Sequence, residues 1–361
     1  MSTLRTNAIL DASGGTTATV NGYAPTLSNM AGRNRIINGD MRIDQRNAGA
    51  VVTAEGYLVD RWRWWRNQTY DVQRSTDAPT GFSNSLKATK TSTTQSTYAY
   101  FQHRIEGFNF SDLMFGTANA QSVTVSFWVK SSVTGTFSAG LSNDANNRTY
   151  PATYAISAAN TWEYKTITIP GDTSGTWVGN TNGHAASVWF NFGASGSGTA
   201  NTWNASDATS GVTGTANLGT TNGATFYITG VQLEAGSIAT SFERRLYGQE
   251  LALCQRYYWK AAGALDAAIG AGLSGSTTTA SVYVKLPVNM RSAPTVTTTD
   301  MVITDGVSYN AAITSVTSAP ASLDSIRLNV TCSGGGMTQY RPALMTILGS
   351  GAGFAQFSAE L

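Results

Sequence analysis

The sequence predicts an all-β chain: a jelly-roll β-sandwich, then a short connecting helix and a smaller distal β domain, with an extended amino-terminal arm in front. Three observations carry this. Charged residues make up 12% of the 361 positions, against about 25% in an ordinary soluble domain. The 37 glycines and long Thr, Ser and Asn tracts supply turn chemistry at short intervals. Between those turns the text alternates apolar with polar residues, which is the signature of strands. An apolar share of 41% over this length is material for two cores, since domains usually run about 100 to 200 residues.

The arm, residues 1–33, is too short and too poor in large apolar side chains for a core of its own. Leu4, Ala8 and Leu10 share one face of an extended strand, and "SGG", "NG" and "AP" punctuate it as turns. Two readings stand: an unstructured terminus, or a docking arm that orders only inside an assembly.

The sandwich, residues 34–245, holds the runs "YLVDRWRWWRNQTYDVQRS", "STYAYFQHRIEGF", "SVTVSFWVKSS", "TWEYKTITIPG", "ASVWFNFGA" and "ATFYITGVQLEAG", bounded by Gly, Asn, Asp or Pro. In "VTVSFWVKS" the alternation puts Val123, Val125, Phe127 and Val129 on one face and Thr124, Ser126, Trp128 and Lys130 on the other. Strands of this kind with long Gly/Ser/Thr loops predict two packed sheets.

Charged, helix-capable text collects at residues 246–262. Tyr247, Leu251, Cys254 and Tyr258 are spaced four, three and four apart, with Leu246, Leu253 and Tyr257 as a second seam. A helix of about twelve residues is marginal alone in water, so its apolar face needs cover. Its own sandwich or the symmetry axis of an oligomer would supply that cover. Residues 263–361 return to β text, with Val282, Val284 and Leu286 alternating against Tyr283 and Lys285, and Pro287 and Pro294 stopping the pairing. This unit is expected at the tip of an elongated molecule.

A formal charge of +2 and no run of five or six basic residues argue against nucleic acid and anionic membranes. Cys254 and Cys332 sit in different regions, forming neither a disulfide framework nor a zinc motif. No signal peptide and no stretch of about 18 apolar residues is present, so synthesis in the cytoplasm and no membrane insertion are expected.

The ordered pieces "NRIINGDMRIDQRN", "VDRW", "VSFWVKSS", "TWEYKTITIPGD" and "FYITGVQLEAGSIATSFERRLYGQELALCQRYY", over roughly residues 33 to 260, resemble the body of bacteriophage tail-fibre and related virion-fibre proteins. "LRTNAILDASGGTTATVNG" resembles their attachment segments and "LPVNMRSAPTV" their distal domains. The body is also similar to jelly-roll carbohydrate-binding modules, which hold glycans without cleaving them. The resemblance implies a homotrimeric fibre on a virion. Its arm would meet a tail adaptor, baseplate or capsid protein, and its carboxyl end would point toward host-surface glycan or lipopolysaccharide. A purely structural head fibre or decoration protein, or a glycan depolymerase, are the alternative readings.

Aromatic faces stack on sugar rings. Trp62 is in phase with Leu58 and reads as core, while Trp64 and Trp65 are the candidates for exposed platforms in "DRWRWWRN". Trp177 and Trp203, in Gly/Ser/Asn-rich loops, are expected to line a groove or a subunit contact. The helix candidates for an oligomer seam are Tyr247, Leu251, Cys254 and Tyr258. No catalytic residue, metal ligand or cofactor is assigned: His103 and His184 lack a nucleophile motif nearby in sequence, no dinucleotide or P-loop fingerprint occurs, and "SNDANN" lacks a known calcium pattern.

Overall fold

The computed structural model describes residues 32–94, 96–193, 196–209, 211–264, 266–306, 311–318, 323–347 and 353–361. The predicted arm lies outside them except for Gly32 and Arg33. The all-β expectation holds, as a sandwich and a smaller barrel with one α-helix among the described residues. The sandwich strands are β1 (Gly56–Tyr57), β2 (Trp62–Arg66), β3 (Tyr70–Ser75), β4 (Ser85–Lys90), β5 (Ala99–Glu106), β6 (Val123–Ser131), β7 (Gly135–Asn143), β8 (Thr149–Ile156), β9 (Glu163–Ile169), β10 (His184–Asn191) and β11 (Thr225–Ala235). They form two antiparallel sheets, ordered β1-β2-β5-β10-β7-β8 and β3-β4-β11-β6-β9.

The inward residues of both sheets interdigitate. Phe127 meets Phe190 at 4.9 Å between ring centroids, and Phe192 bridges Phe101 at 4.8 Å and Phe226 at 4.9 Å. Two bulges keep this core in phase. On β11 the register slips between Thr229 and Gln232, so Ile228 and Val231, three apart, both point inward. On β10 it slips between His184 and Ala186, which brings His184 onto the same outer face as Ser187.

The charged text collects where it does because it satisfies the backbone of residues 32–43. Glu243 accepts the N–H groups of Gly32 at 2.9 Å and Asn34 at 2.7 Å, and Glu250 accepts that of Asn38. Arg245 donates to the Asn34 and Ile36 carbonyls. Asn34 returns the favour by pinning β11 through the Val231 oxygen and the Leu233 N–H. A short segment without strand pairing thereby reaches the protein interior with its polar groups matched.

The helix α1 spans Tyr247–Gln255, shorter than the predicted 246–262. It ends there because Tyr258 enters the strand β12 (Tyr258–Ala262). Of the two covers expected for the helical stripe, this chain's own interior takes part of it, and Cys254 and Tyr258 as oligomer-seam candidates are corrected to core. Cys254 and Tyr258 are buried within this chain, Leu251 packs with Cys254, Tyr257, Ile37 and Ile43, and Tyr247 stays 58% exposed. Four residues with helical spacing end in three environments.

Beyond β12 follow β13 (Ala268–Ser274), β14 (Thr279–Lys285), β15 (Thr295–Thr299), β16 (Met301–Thr304), β17 (Ala311–Ser318), β18 (Ser325–Cys332), β19 (Pro342–Ile347) and β20 (Phe354–Ser358). Six of them close a barrel, β13-β14-β18-β17-β16-β19, and β12-β20-β15 form a small sheet beside it. The last residues return to the sandwich: Glu360 pairs with Arg46 at 2.7 Å and with the buried Arg61. The Leu361 main-chain oxygen accepts from Tyr57 and Arg104. Glu106 answers from the sandwich, taking Arg256 and the Tyr257 hydroxyl. Guanidinium groups buried this deeply need such partners.

Candidate functional site

The outer face of the five-stranded sheet carries a groove of about 510 Å³, within the usual size range of small-ligand sites, about 300 to 1,000 Å³. One wall is Trp128 on β6 with its cross-strand neighbour Tyr164 on β9, ring centroids 5.4 Å apart. The other is Phe82 against Phe242 at 5.2 Å, with Arg244 laid over both, 4.6 Å from the Phe82 centroid and 5.7 Å from that of Phe242. Ser126 and Gly230 form part of the floor, and Thr240 and Ser241 part of the rim.

Sequence explains each part. The polar face of β6 contains one large aromatic, Trp128. The β11 bulge holds Gly230 at φ +61°, and a Cβ there would come within 2.7 Å of Phe82 Cζ and 3.2 Å of Trp128 Cδ1, so only glycine lets both rings approach. Glu234 draws the rim over the sheet by accepting the Thr240 N–H at 2.8 Å and its hydroxyl at 2.6 Å. Thr124 and Thr168 hold the turn before it through the carbonyls of Gly236 and Ser237. The run "QLEAGSIATSFER" is therefore the text that builds a wall.

A second aromatic pair lies one pleat further along β6, where Trp162 and Tyr227 meet at 6.1 Å. Lys130 Nζ sits 4.4 Å from the Tyr227 centroid and Lys87 Nζ 5.6 Å from it. Asp77 caps this pair, accepting from Trp162 Nε1 at 3.1 Å and from Lys130. Burial pushes the Asp77 carboxyl up, but these two donors outweigh it and hold the group below its ordinary range.

The tryptophans singled out from sequence lie elsewhere. Trp64 is fully buried beside Trp62, because both side chains share the inward face of β2; as an exposed platform it is corrected to core. Trp65 is half-buried on the outer face of the other sheet, under the Arg63 guanidinium at 3.9 Å and bonded to Gln102 Oε1 at 3.1 Å. Trp177 and Trp203 pack edge-to-face on one another at 5.7 Å and on Phe115, with their indole N–H groups given to Asp172 and the Pro170 carbonyl. They pack against one end of the sandwich core, each half-buried. The sequence signal for the groove was an aromatic standing among Thr124, Ser126 and Lys130 on the polar side of an alternation.

A further constellation is invisible in sequence. Asp144 Oδ1 lies 2.5 Å from His184 Nδ1, and His184 Nε2 lies 2.8 Å from Ser187 Oγ. This is the order of a nucleophile, a base and an orienting acid. Ser187, however, is wholly buried and also takes the Gln102 amide at 3.1 Å. Burial and the Arg104 charge outweigh Asp144 and lower the His184 pKa to about 4. His103 is likewise held well below its usual range by burial and by Arg61, edge-on to Trp62. Among the described residues no group of His, Cys, Asp and Glu side chains is placed to hold a metal, and no helix is long and apolar enough to cross a membrane.

No protein-family model matches the chain, and no curated protein matches it. Solved structures to which it is similar include the enzymatically active domain of tailspike protein 4 of bacteriophage CBA120, at 14% identity and TM-score 0.33 over 56% of this chain and 21% of that one. The CBM22-1 xylan-binding domain of Xyn10C from Paenibacillus barcinonensis matches at 12% identity and TM-score 0.28, over 54% of this chain and 99% of that one. The family 11 carbohydrate-binding module of Lic26A-Cel5E from Clostridium thermocellum matches at 16% and 0.26, over 54% and 99%. By its own hydrogen-bond pattern the chain is an all-β protein, a two-sheet sandwich joined to a six-stranded closed barrel.

Proposed function

We propose that this chain is a non-catalytic, glycan-binding fibre protein of a virion, made in the host cytoplasm and displayed on the particle as a homotrimer. The observation that carries the binding part is the groove between Trp128/Tyr164 and Phe82/Phe242. Flat aromatic walls, with the hydroxyls of Thr240 and Ser241 at the rim, suit a ring that has apolar faces and a polar edge. The virion part is supported by the ordered motifs of residues 33 to 260, whose polar members interlock residues 32–43 with residues 231–250. Attachment through residues 1–33 to a tail adaptor, baseplate or capsid protein belongs to this reading.

The test is titration of the full chain against host-surface polysaccharide and lipopolysaccharide, comparing wild type with Trp128→Ala, alongside immunogold labelling of particles and the mass in solution. Binding lost in the variant, gold on a fibre and a trimer mass support the reading. Shortened polysaccharide chains would replace it by a depolymerase. Gold on the capsid with no saccharide bound would replace it by a head-fibre or decoration role.

A second reading has the hydrogen-bond order of Asp144, His184 and Ser187 in its favour, namely ester hydrolysis. Burial of Ser187 opposes it. Labelling by a fluorophosphonate, followed by intact mass, decides between them.

A further inference from the structure

We infer that the saccharide accepted by the Trp128 groove is acidic, carrying a carboxylate that pairs with Arg244. This rests on the glycan reading and goes beyond it in naming the chemical class. Arg244 is the only charged residue lining the groove among the described residues. Its guanidinium is already oriented, stacked on Phe82 and Phe242 and tied by one N–H to the Gly81 carbonyl at 2.5 Å. A guanidinium has five N–H donors, and no carboxylate lies within 4 Å of this one among the described residues.

The nearby acids make their contacts with other groups. Asp40, which the Arg244 charge reaches, pairs through Oδ2 with Arg42 at 2.5 Å, while its buried Oδ1 has no hydrogen-bond partner and lies beyond 4 Å of Arg244. Glu234, behind the rim, is filled by Thr240 and by Gln232 Nε2 at 2.8 Å. Glu243, next in sequence, is bound to the Gly32 and Asn34 amides.

Beyond the groove the face carries both signs: Lys87 and Lys130 stand over Tyr227, Asp77 is paired with Lys130, and Asp71 and Glu234 lie on the outward side of their strands, so the preference rests on Arg244 itself. A neutral sugar would leave the Arg244 fork facing water. A uronic acid stacked on Trp128 would place a planar carboxylate where a planar, pre-oriented guanidinium matches it by paired hydrogen bonds. Holding the cation against two rings in advance removes much of the ordering cost that a free arginine side chain would incur on binding.

The experiment uses polygalacturonate and alginate, each beside its carboxyl-reduced product, titrated by calorimetry at low ionic strength against the full chain, Arg244→Met and Trp128→Ala. The expected result is acidic polymer bound about ten-fold or more tighter than its reduced form. Arg244→Met should bring the two forms to equal affinity, and added salt should weaken the acidic form alone. Equal affinity of both forms for wild type, with both lost in Trp128→Ala, overturns the acidic ligand and leaves the glycan groove standing. A preference that survives Arg244→Met overturns the role of this residue. Failure of wild type to bind any of the four polymers overturns the inference; binding of host polysaccharide in the same preparation would show that the glycan reading itself survives.

Discussion

Glu250 Oε1 accepts the main-chain N–H of Asn38 at 2.5 Å, across 212 positions of sequence, while Arg245 steadies the same carboxylate from 3.3 Å. Asn38 in turn fixes Ile43 and Asp60 through its side chain and receives Trp62 Nε1 on its carbonyl. Removing the carboxylate strips partners from a buried amide and a nearly buried guanidinium. Glu250→Ala should cost about 3 to 5 kcal/mol, read as a lower urea midpoint, whereas Glu250→Gln, which keeps an acceptor, should cost clearly less.

Glu360 is the counter-charge of Arg61, itself only 1% exposed. Glu360→Ala leaves that guanidinium buried and unpaired, which is expected to destabilise by about 3 to 5 kcal/mol. Loss of the tie between barrel and sandwich should appear as two separated thermal transitions where wild type shows one.

Gly230 sits at positive φ between two rings. Gly230→Ala should lower stability by about 1 to 3 kcal/mol and also weaken saccharide binding, because Phe82 or Trp128 has to shift. Thermal melting and titration together separate this from Trp128→Ala, for which binding should fall by at least about ten-fold, out of the range of the titration, with little change in melting temperature.

Stability should decline on acidification below pH 6.5. His103 and His184 both have folded pKa values depressed below the ordinary 6.5, His184 to about 4, so the unfolded chain binds more protons as pH falls. Asp60 works the other way. Burial raises its pKa to about 6 from 3.8, so its protonation in the folded state adds stability as pH drops from about 6 to 3.8. Asp40, also raised by burial, adds to Asp60, but the two histidines lose stability over the whole fall from pH 6.5, which leaves a net loss, seen as a lower melting temperature at pH 5 than at pH 7. His184→Gln should flatten that slope.

Much of the sandwich was legible. The period-two text of β6 assigned Val123, Val125, Phe127 and Val129 to the core, and all four are buried. The same alternation put Trp128 outside, where it is. Local composition misleads at Trp64: it follows Trp62 at the inward spacing and is core, while Trp177 and Trp203 shelter one another although their loops are rich in Gly, Ser and Asn. The spacing of Tyr247, Leu251, Cys254 and Tyr258 is helical, yet pairing with Ser358 takes Tyr258 into a strand.

Sequence by itself determined which residues face which side of each strand, where turns fall, and that the chain is all-β, because side-chain alternation is a property of the local backbone. Tertiary structure alone decided that Thr240 and Phe242 fold back over Trp128 to make a groove, and that Glu360 returns to Arg61. Those pairings join segments far apart in the chain, and their energies depend on burial, which no stretch of text contains until another stretch covers it.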